Sequence, residues 1–231
     1  MKTTTLHYIY DPLCGWCYGA APLVKAAREI LHVQPHGGGM MNGEHRRAVT
    51  PQLREFVMPH DARIARLSGQ RFGERYLDGL LLDTNAVFDS APPTAAMLAA
   101  EAIAGRGLDM LAQLQIAHYV GGHRIAERAV LIDVAAAIGL DPATFAEALD
   151  RLPGRAVQTH INETRAFMDQ VGAQGFPTFV LETGQGFQTV DFAGYLGRPQ
   201  EFQDWLRGRI VSPAATHPTN ALTCETHGCA I

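Results

Sequence analysis

No stretch of the chain approaches the roughly 18 uninterrupted apolar residues of a membrane span. The alanine-rich run from Thr94 is cut by Glu101 and again by Gly105. A dominant charge of one sign is missing too. The formal net charge is -4 and the basic residues are scattered, which leaves no electrostatic footprint for nucleic acid or anionic lipid. Met1 to Tyr10 carries one lysine and runs straight into Leu6-His7-Tyr8-Ile9-Tyr10, without an apolar core or a small-residue cleavage site. That pattern predicts no signal peptide and a cytoplasmic protein. There is no internal repeat, and Gly37-Gly38-Gly39 is not followed by the lysine-threonine pair or helix start of a phosphate loop, so no cofactor is assigned. Cysteine is scarce as well: four in 231 residues are too few for a disulfide scaffold, and paired cysteines in a reducing compartment point to redox chemistry or metal.

Hydrophobic residues make up 47% of the chain and charged residues 18%, a globular composition. The length favours one core carrying an insertion over two equal domains. Residues 4–10 read as a strand, and apolar positions Ala20, Leu23, Val24, Ala27 and Leu31 set a helix from about Cys14 to Leu31. A second strand is expected from His32 toward Met40, weakened by the glycine triplet. Every convincing segment from Gly43 to Val171 then reads as helical: Ala62 to Leu82, Pro93 to Ala104, Leu108 to Val120, Arg128 to Ile138, Pro142 to Leu149 and Ala156 to Val171. Asp89-Ser90-Ala91-Pro92-Pro93 reads as a helix lead-in. Strand character returns at Thr178 to Leu181, turns at Thr183 to Gly186 and resumes from Phe187 to Phe192, an antiparallel hairpin followed by a helix from Pro199 to about Arg209. The expected organisation is a first part of the sheet domain at 1–42, a helical insertion at 43–171, a second part of the sheet domain at 172–210 and a tail at 211–231.

Cys14-Gly15-Trp16-Cys17 stands at the first turn of the expected helix, where unpaired N–H groups and the helix dipole stabilise a negative charge on sulfur. A thiolate there attacks and leaves readily, and Cys17, one turn on, can close a short disulfide with Cys14. Half of a zinc site and two inert buried cysteines are the alternatives, but zinc needs a second ligand pair, and the nearest cysteines lie far along the chain. Trp16 offers an apolar platform beside the sulfur, with an ordinary buried tryptophan as the plainer reading. Gly175-Phe176-Pro177-Thr178 sets a proline immediately before the late strand.

Tyr10-Asp11-Pro12-Leu13-Cys14-Gly15-Trp16-Cys17-Tyr18-Gly19, the helical insertion and Gly175-Phe176-Pro177-Thr178-Phe179 together resemble the DsbA-like branch of the thioredoxin superfamily, in particular the cytoplasmic disulfide-isomerase and FrnE-like proteins. The resemblance covers residues 3 to about 210. It implies an α/β, thioredoxin-like fold with a large all-helical insertion, and a thiol-disulfide oxidoreductase or protein-disulfide isomerase acting through Cys14 and Cys17. It also implies a cis peptide before Pro177, a Phe176 backbone that faces Cys14 and can pair with an extended substrate, and a more buried, resolving Cys17. Partners would be protein or small-molecule disulfides and thiols, glutathione among them. The chain departs from the family in two ways. Leu6 to Tyr10 offers His7 and two tyrosines in place of the usual buried strand carboxylate, leaving Asp11 or water to take the Cys17 proton. The Gly-Trp dipeptide lacks the histidine of strongly oxidising periplasmic relatives, so a milder oxidant is expected. The runner-up is a glutathione-dependent transferase or isomerase of the kappa-class or hydroxychromene-carboxylate isomerase type, which usually has serine where Cys14 stands.

Cys224-Glu225-Thr226-His227-Gly228-Cys229 is a second, wider pair. It reads as two exposed thiols without a role, as a secondary redox pair exchanging with Cys14 and Cys17, or, with His217 and His227, as soft metal ligands. The other histidines form no ligand set by spacing.

Overall fold

The computed structural model describes residues 4–152 and 154–211. A four-stranded sheet has the order β2-β1-β5-β6, built from β1 (Thr5–Tyr10), β2 (His32–Gly37), β5 (Thr178–Thr183) and β6 (Gly186–Val190). β1 runs parallel to β2 and antiparallel to β5, and β5 is antiparallel to β6. Alternation along β1 assigns its two faces. Leu6, Tyr8 and Tyr10 enter the main core with Phe179 and Leu181 of β5, whereas Ile9 joins Val180 and Met168 in a smaller cluster on the opposite face. Tyr8 stacks between Tyr10 and Phe179, with ring centroids 5.2 and 4.9 Å away.

Helix α1 (Gly15–Arg28) buries Ala20, Leu23, Val24 and Ala27 on the main face, beside α8 (Pro199–Val211), whose Phe202 and Leu206 are fully buried. Each such side chain contributes roughly 1.5–3 kcal/mol of burial. Pro22 interrupts the α1 hydrogen-bond ladder because it has no N–H for the Tyr18 carbonyl. The Gln70 amide supplies the missing donor at 3.0 Å.

The helices between β2 and β5 are α2 (Pro51–Ser68), α3 (Ala91–Ala104), α4 (Gly107–Tyr119), α5 (Arg128–Ala137), α6 (Pro142–Arg151) and α7 (Gly154–Val171). Leu108, Leu111 and Phe145 from them share one contiguous cluster with Leu6 and Tyr8 of the sheet. α7 covers the opposite sheet face through Met168.

Four sequence expectations need correction. The helix expected over Ala62 to Leu82 starts earlier and stops sooner. Thr50 caps it by accepting the Leu53 N–H at 3.1 Å, Pro51 fills its first position, and Gly69 at φ 75° ends it; a π turn (Arg75–Gly79) and a 3-10 turn (Leu80–Leu82) follow. The segment 43–171 is also not wholly helical, since Arg47–Ala48 (β3) and Val87–Phe88 (β4) pair as a short antiparallel ribbon that local periodicity is too brief to reveal. β2 ends at Gly37 instead of running toward Met40: its partner β1 ends at Tyr10, opposite Gly37, and the chain leaves the extended conformation at Gly39, whose φ is 60°. Finally, Cys14 is the cap of α1, which spans Gly15–Arg28 and stops short of Leu31.

Replacing Gln70 by alanine leaves the Tyr18 carbonyl without a donor. The expected loss is about 1 kcal/mol, read as a lower urea midpoint with an unchanged m-value.

Candidate active site

β1 delivers the chain to a turn at Asp11-Pro12-Leu13 that points Cys14 across the end of the sheet. The Cys14 N–H donates to the Asp11 carbonyl at 3.1 Å and the Leu13 N–H to Asp11 Oδ1 at 2.9 Å. Cys14 then caps α1, and its Sγ accepts the Cys17 N–H at 3.2 Å, a donor that favours negative charge on that sulfur. Both cysteines are free thiols, Cys14 5% and Cys17 0% exposed. Burial pushes the Cys17 thiol well above its ordinary range, reinforced by the hydrogen bond and charge of Cys14, while the Asp11 backbone amide acts weakly in the opposite direction. Cys17 is therefore the thiol that keeps its proton until a partner is ready. The Phe176–Pro177 peptide is cis, and the Phe176 carbonyl accepts from Cys14 Sγ at 3.5 Å, so the late proline and the cysteine pair meet although 162 residues separate the two contacting positions.

Two aromatic residues adjoin the pair, Trp16 between the cysteines and Phe176 through its carbonyl. Trp16 is half-buried, less open than the sequence led us to expect, with the Arg63 guanidinium 5.7 Å from its ring centre. Phe176 is also half-buried and packs its ring against Gly38, where any Cβ would sit 2.2 Å from it. The Arg165 guanidinium lies 5.0 Å from the Phe176 ring centre and donates from Nε to the Gly38 carbonyl at 2.6 Å.

A family profile described as a DSBA-like thioredoxin domain matches residues 5–196. The chain belongs to this family. It is a thiol-disulfide oxidoreductase, and the DsbA-like architecture accounts for the sheet, the α1 cysteine pair and the inserted helices. Among solved structures, this DsbA-like chain is similar to the cytosolic disulfide reductase DsbM from Pseudomonas aeruginosa, with 54% identity, a TM-score of 0.84, and coverage of 89% of this chain and 98% of that one. A second structure of DsbM, with GSH, matches at 53% identity and a TM-score of 0.83, with the same coverage. Pseudomonas aeruginosa DsbA shares the fold at 14% identity and a TM-score of 0.51, covering 90% of this chain and 82% of that one. No curated protein matches the sequence. The transferase or isomerase alternative is not favoured beside these relatives.

The DsbA-like site contains groups that sequence reasoning missed. Asp11, considered only as a proton acceptor, is fully buried and anchors three segments: Oδ1 accepts from Leu13 N–H and from Ser90 Oγ at 2.9 Å each, and Oδ2 accepts from Met40 N–H at 2.6 Å. Burial raises its pKa, opposed by those donors and by Arg165. Ser90 accepts in turn from the Met41 N–H at 3.0 Å, which places the Asp89 to Pro93 lead-in beside the active-site turn. On β1, Tyr8 donates its hydroxyl to the Cys17 carbonyl at 3.2 Å. Asp61 on α2 is 4% exposed; its Oδ1 lies 3.0 Å from where a Gly15 side chain would begin, and its Oδ2 accepts from the Tyr76 hydroxyl at 3.0 Å. Burial raises its pKa to about 7. Neither Ser90 nor Asp61 could be found from spacing, because their partners are remote in the chain.

Cys224, Cys229, His217 and His227 lie outside the described residues. Among the described residues, no group of three or more His, Cys, Asp or Glu is arranged to hold a metal. His7 bridges His36 at 2.9 Å and Glu182 at 3.1 Å, and His160 accepts the Gly37 N–H at 3.0 Å, so these histidines are engaged within the protein.

Asp61 makes stability pH-dependent in a defined direction. Its folded pKa lies above its unfolded value, so its contribution is fully present below about pH 4 and is lost as pH rises through about 7. Asp61→Asn cannot ionise and still accepts from Tyr76. Its melting temperature should gain on the wild type between about pH 5 and about pH 8; a difference that is flat over that range contradicts the assignment.

Proposed function

We propose that this chain is a cytoplasmic disulfide reductase that draws its electrons from glutathione, with Cys14 as nucleophile, Cys17 as resolving thiol, Pro177 and Phe176 as the docking edge for substrate, and Trp16 as an apolar platform. The observation that carries this reading is the meeting of Cys14 Sγ with the Cys17 N–H on one side and the Phe176 carbonyl on the other. The name of DsbM and its structure with GSH support the direction and the reductant. We assign the sheet to residues 1–42 and 172–210 and treat 43–171 as the helical insertion that shapes the surroundings of Cys14.

The steps balance as two successive exchanges. The Cys14 thiolate attacks one sulfur of a substrate disulfide, forming a mixed disulfide and expelling the other sulfur as a thiolate. Cys17 loses its proton, attacks Cys14 and expels the second substrate thiolate, leaving the Cys14–Cys17 disulfide. One glutathione thiolate then attacks Cys14 and Cys17 recovers its proton; a second attacks the bound glutathione sulfur, releasing oxidised glutathione and the Cys14 thiolate. A high Cys17 pKa suits this order, since a protonated resolving thiol gives the first mixed disulfide time to form.

Cys14→Ser should abolish exchange, and Cys17→Ser should accumulate a covalent adduct with substrate, seen by mass on non-reducing separation. Retained turnover in Cys14→Ser removes the mechanism.

A further inference from the structure

About half of the arginines are spent on carboxylates, among them Arg28 with Asp109, Arg54 with Asp78, Arg124 with Asp83 and Arg128 with Asp150. Arg63 and Arg165 differ. Both are exposed, neither makes an ion pair with a carboxylate among the described residues, although the charge of Arg165 is felt at buried Asp11, and each lies over an aromatic ring, Trp16 between the two cysteines or Phe176 before the cis proline. Arg63 comes from α2 and stands over Trp16, two residues after the nucleophile. Arg165 comes from α7 and stands over Phe176, whose carbonyl is 3.5 Å from Cys14 Sγ. Two different helices thus bring a cation over each of two aromatic residues tied to Cys14, Trp16 through the shared first turn of α1 and Phe176 through its carbonyl.

We propose that Arg63 and Arg165 form a two-sided carboxylate clamp that selects small thiols carrying a carboxylate at both ends, with the sulfur between them. Glutathione has this chemistry, with one carboxylate on its γ-glutamyl residue and one on its glycine. The proposal rests on the glutathione-driven reading above and names the residues that recognise that reductant. The guanidinium fork matches a carboxylate with two parallel N–H donors, and the ring beneath each arginine limits its rotamers. Arg165 is further oriented by its bonds to the Gly38 and Gly39 carbonyls, at 2.6 and 3.4 Å. Asp61, which packs against Gly15 at the start of α1, is buried and hydrogen-bonded to Tyr76. It does not pair with Arg63, which leaves that guanidinium available to a ligand.

The test compares glutathione with the uncharged thiol 2-mercaptoethanol as reductant of the same disulfide substrate, at equal thiolate concentration, in wild type, Arg63→Gln, Arg63→Lys, Arg165→Lys and the double variant Arg63→Gln/Arg165→Lys. The readout is the ratio of kcat/KM for the two thiols. The ratio should fall about three- to tenfold in Arg63→Gln, recover in part in Arg63→Lys, and fall further in the double variant. The wild-type preference should also shrink with added salt. A wild type that prefers glutathione, with the ratio unchanged in Arg63→Gln and in the double variant, overturns the clamp and leaves the glutathione reading standing. A wild type with no preference between the two thiols overturns both.

Discussion

The Asp11 carboxylate ties together the pieces on which the site depends. A carboxyl withdrawn from water is costly unless donors surround it, and Asp11 collects them from three places: the Leu13 amide in its own turn, the Met40 amide in the loop after β2, and the Ser90 hydroxyl at the start of α3. The Asp11 carbonyl meanwhile accepts from Cys14. One buried group thus fixes the turn that presents the nucleophile, the glycine loop that supports Phe176, and the entry to the inserted helices. Weakening it would loosen the turn before Cys14, the loop after β2 and the start of α3 all at once.

The division of labour between the two thiols follows from this frame. Cys14 caps α1, meets an N–H of the first turn and faces the Phe176 carbonyl, whereas Cys17 is one turn deeper, fully buried and shielded by the Tyr8 contact with its carbonyl. Desolvation keeps the inner thiol protonated. Asp61, whose pKa burial against the start of α1 raises to about 7, is a further group whose charge changes close to the cysteine pair near neutral pH.

What could be read from the sequence was what short-range chemistry writes into it. The β1-α1 opening, the hairpin, the cysteine pair at a helix start and the proline before β5 all carry local signals, namely alternation, helical spacing and fixed offsets. The start of α2 at Thr50-Pro51 also carries local signals, with Leu53, Phe56 and Val57 at helical spacing, but Pro59 inside the helix breaks the pattern and makes residues 62 onward look like the start. The β3-β4 ribbon, the Ser90–Asp11 bond, the Asp61–Tyr76 pair and the seat of Phe176 on Gly38 join residues distant along the chain. Such pairings leave no periodicity, and only the folded arrangement exposes them.

The claim at the centre of this account is that Cys14 and Cys17 interconvert as a two-electron pair. The direct measurement is their equilibrium against a graded ratio of reduced to oxidised glutathione, read by thiol alkylation and mass with Cys224 and Cys229 replaced by serine. A single transition from two free thiols to one intramolecular disulfide is the predicted result. Absence of that disulfide at every ratio, with only a glutathione adduct on Cys14 or no change at all, would contradict it.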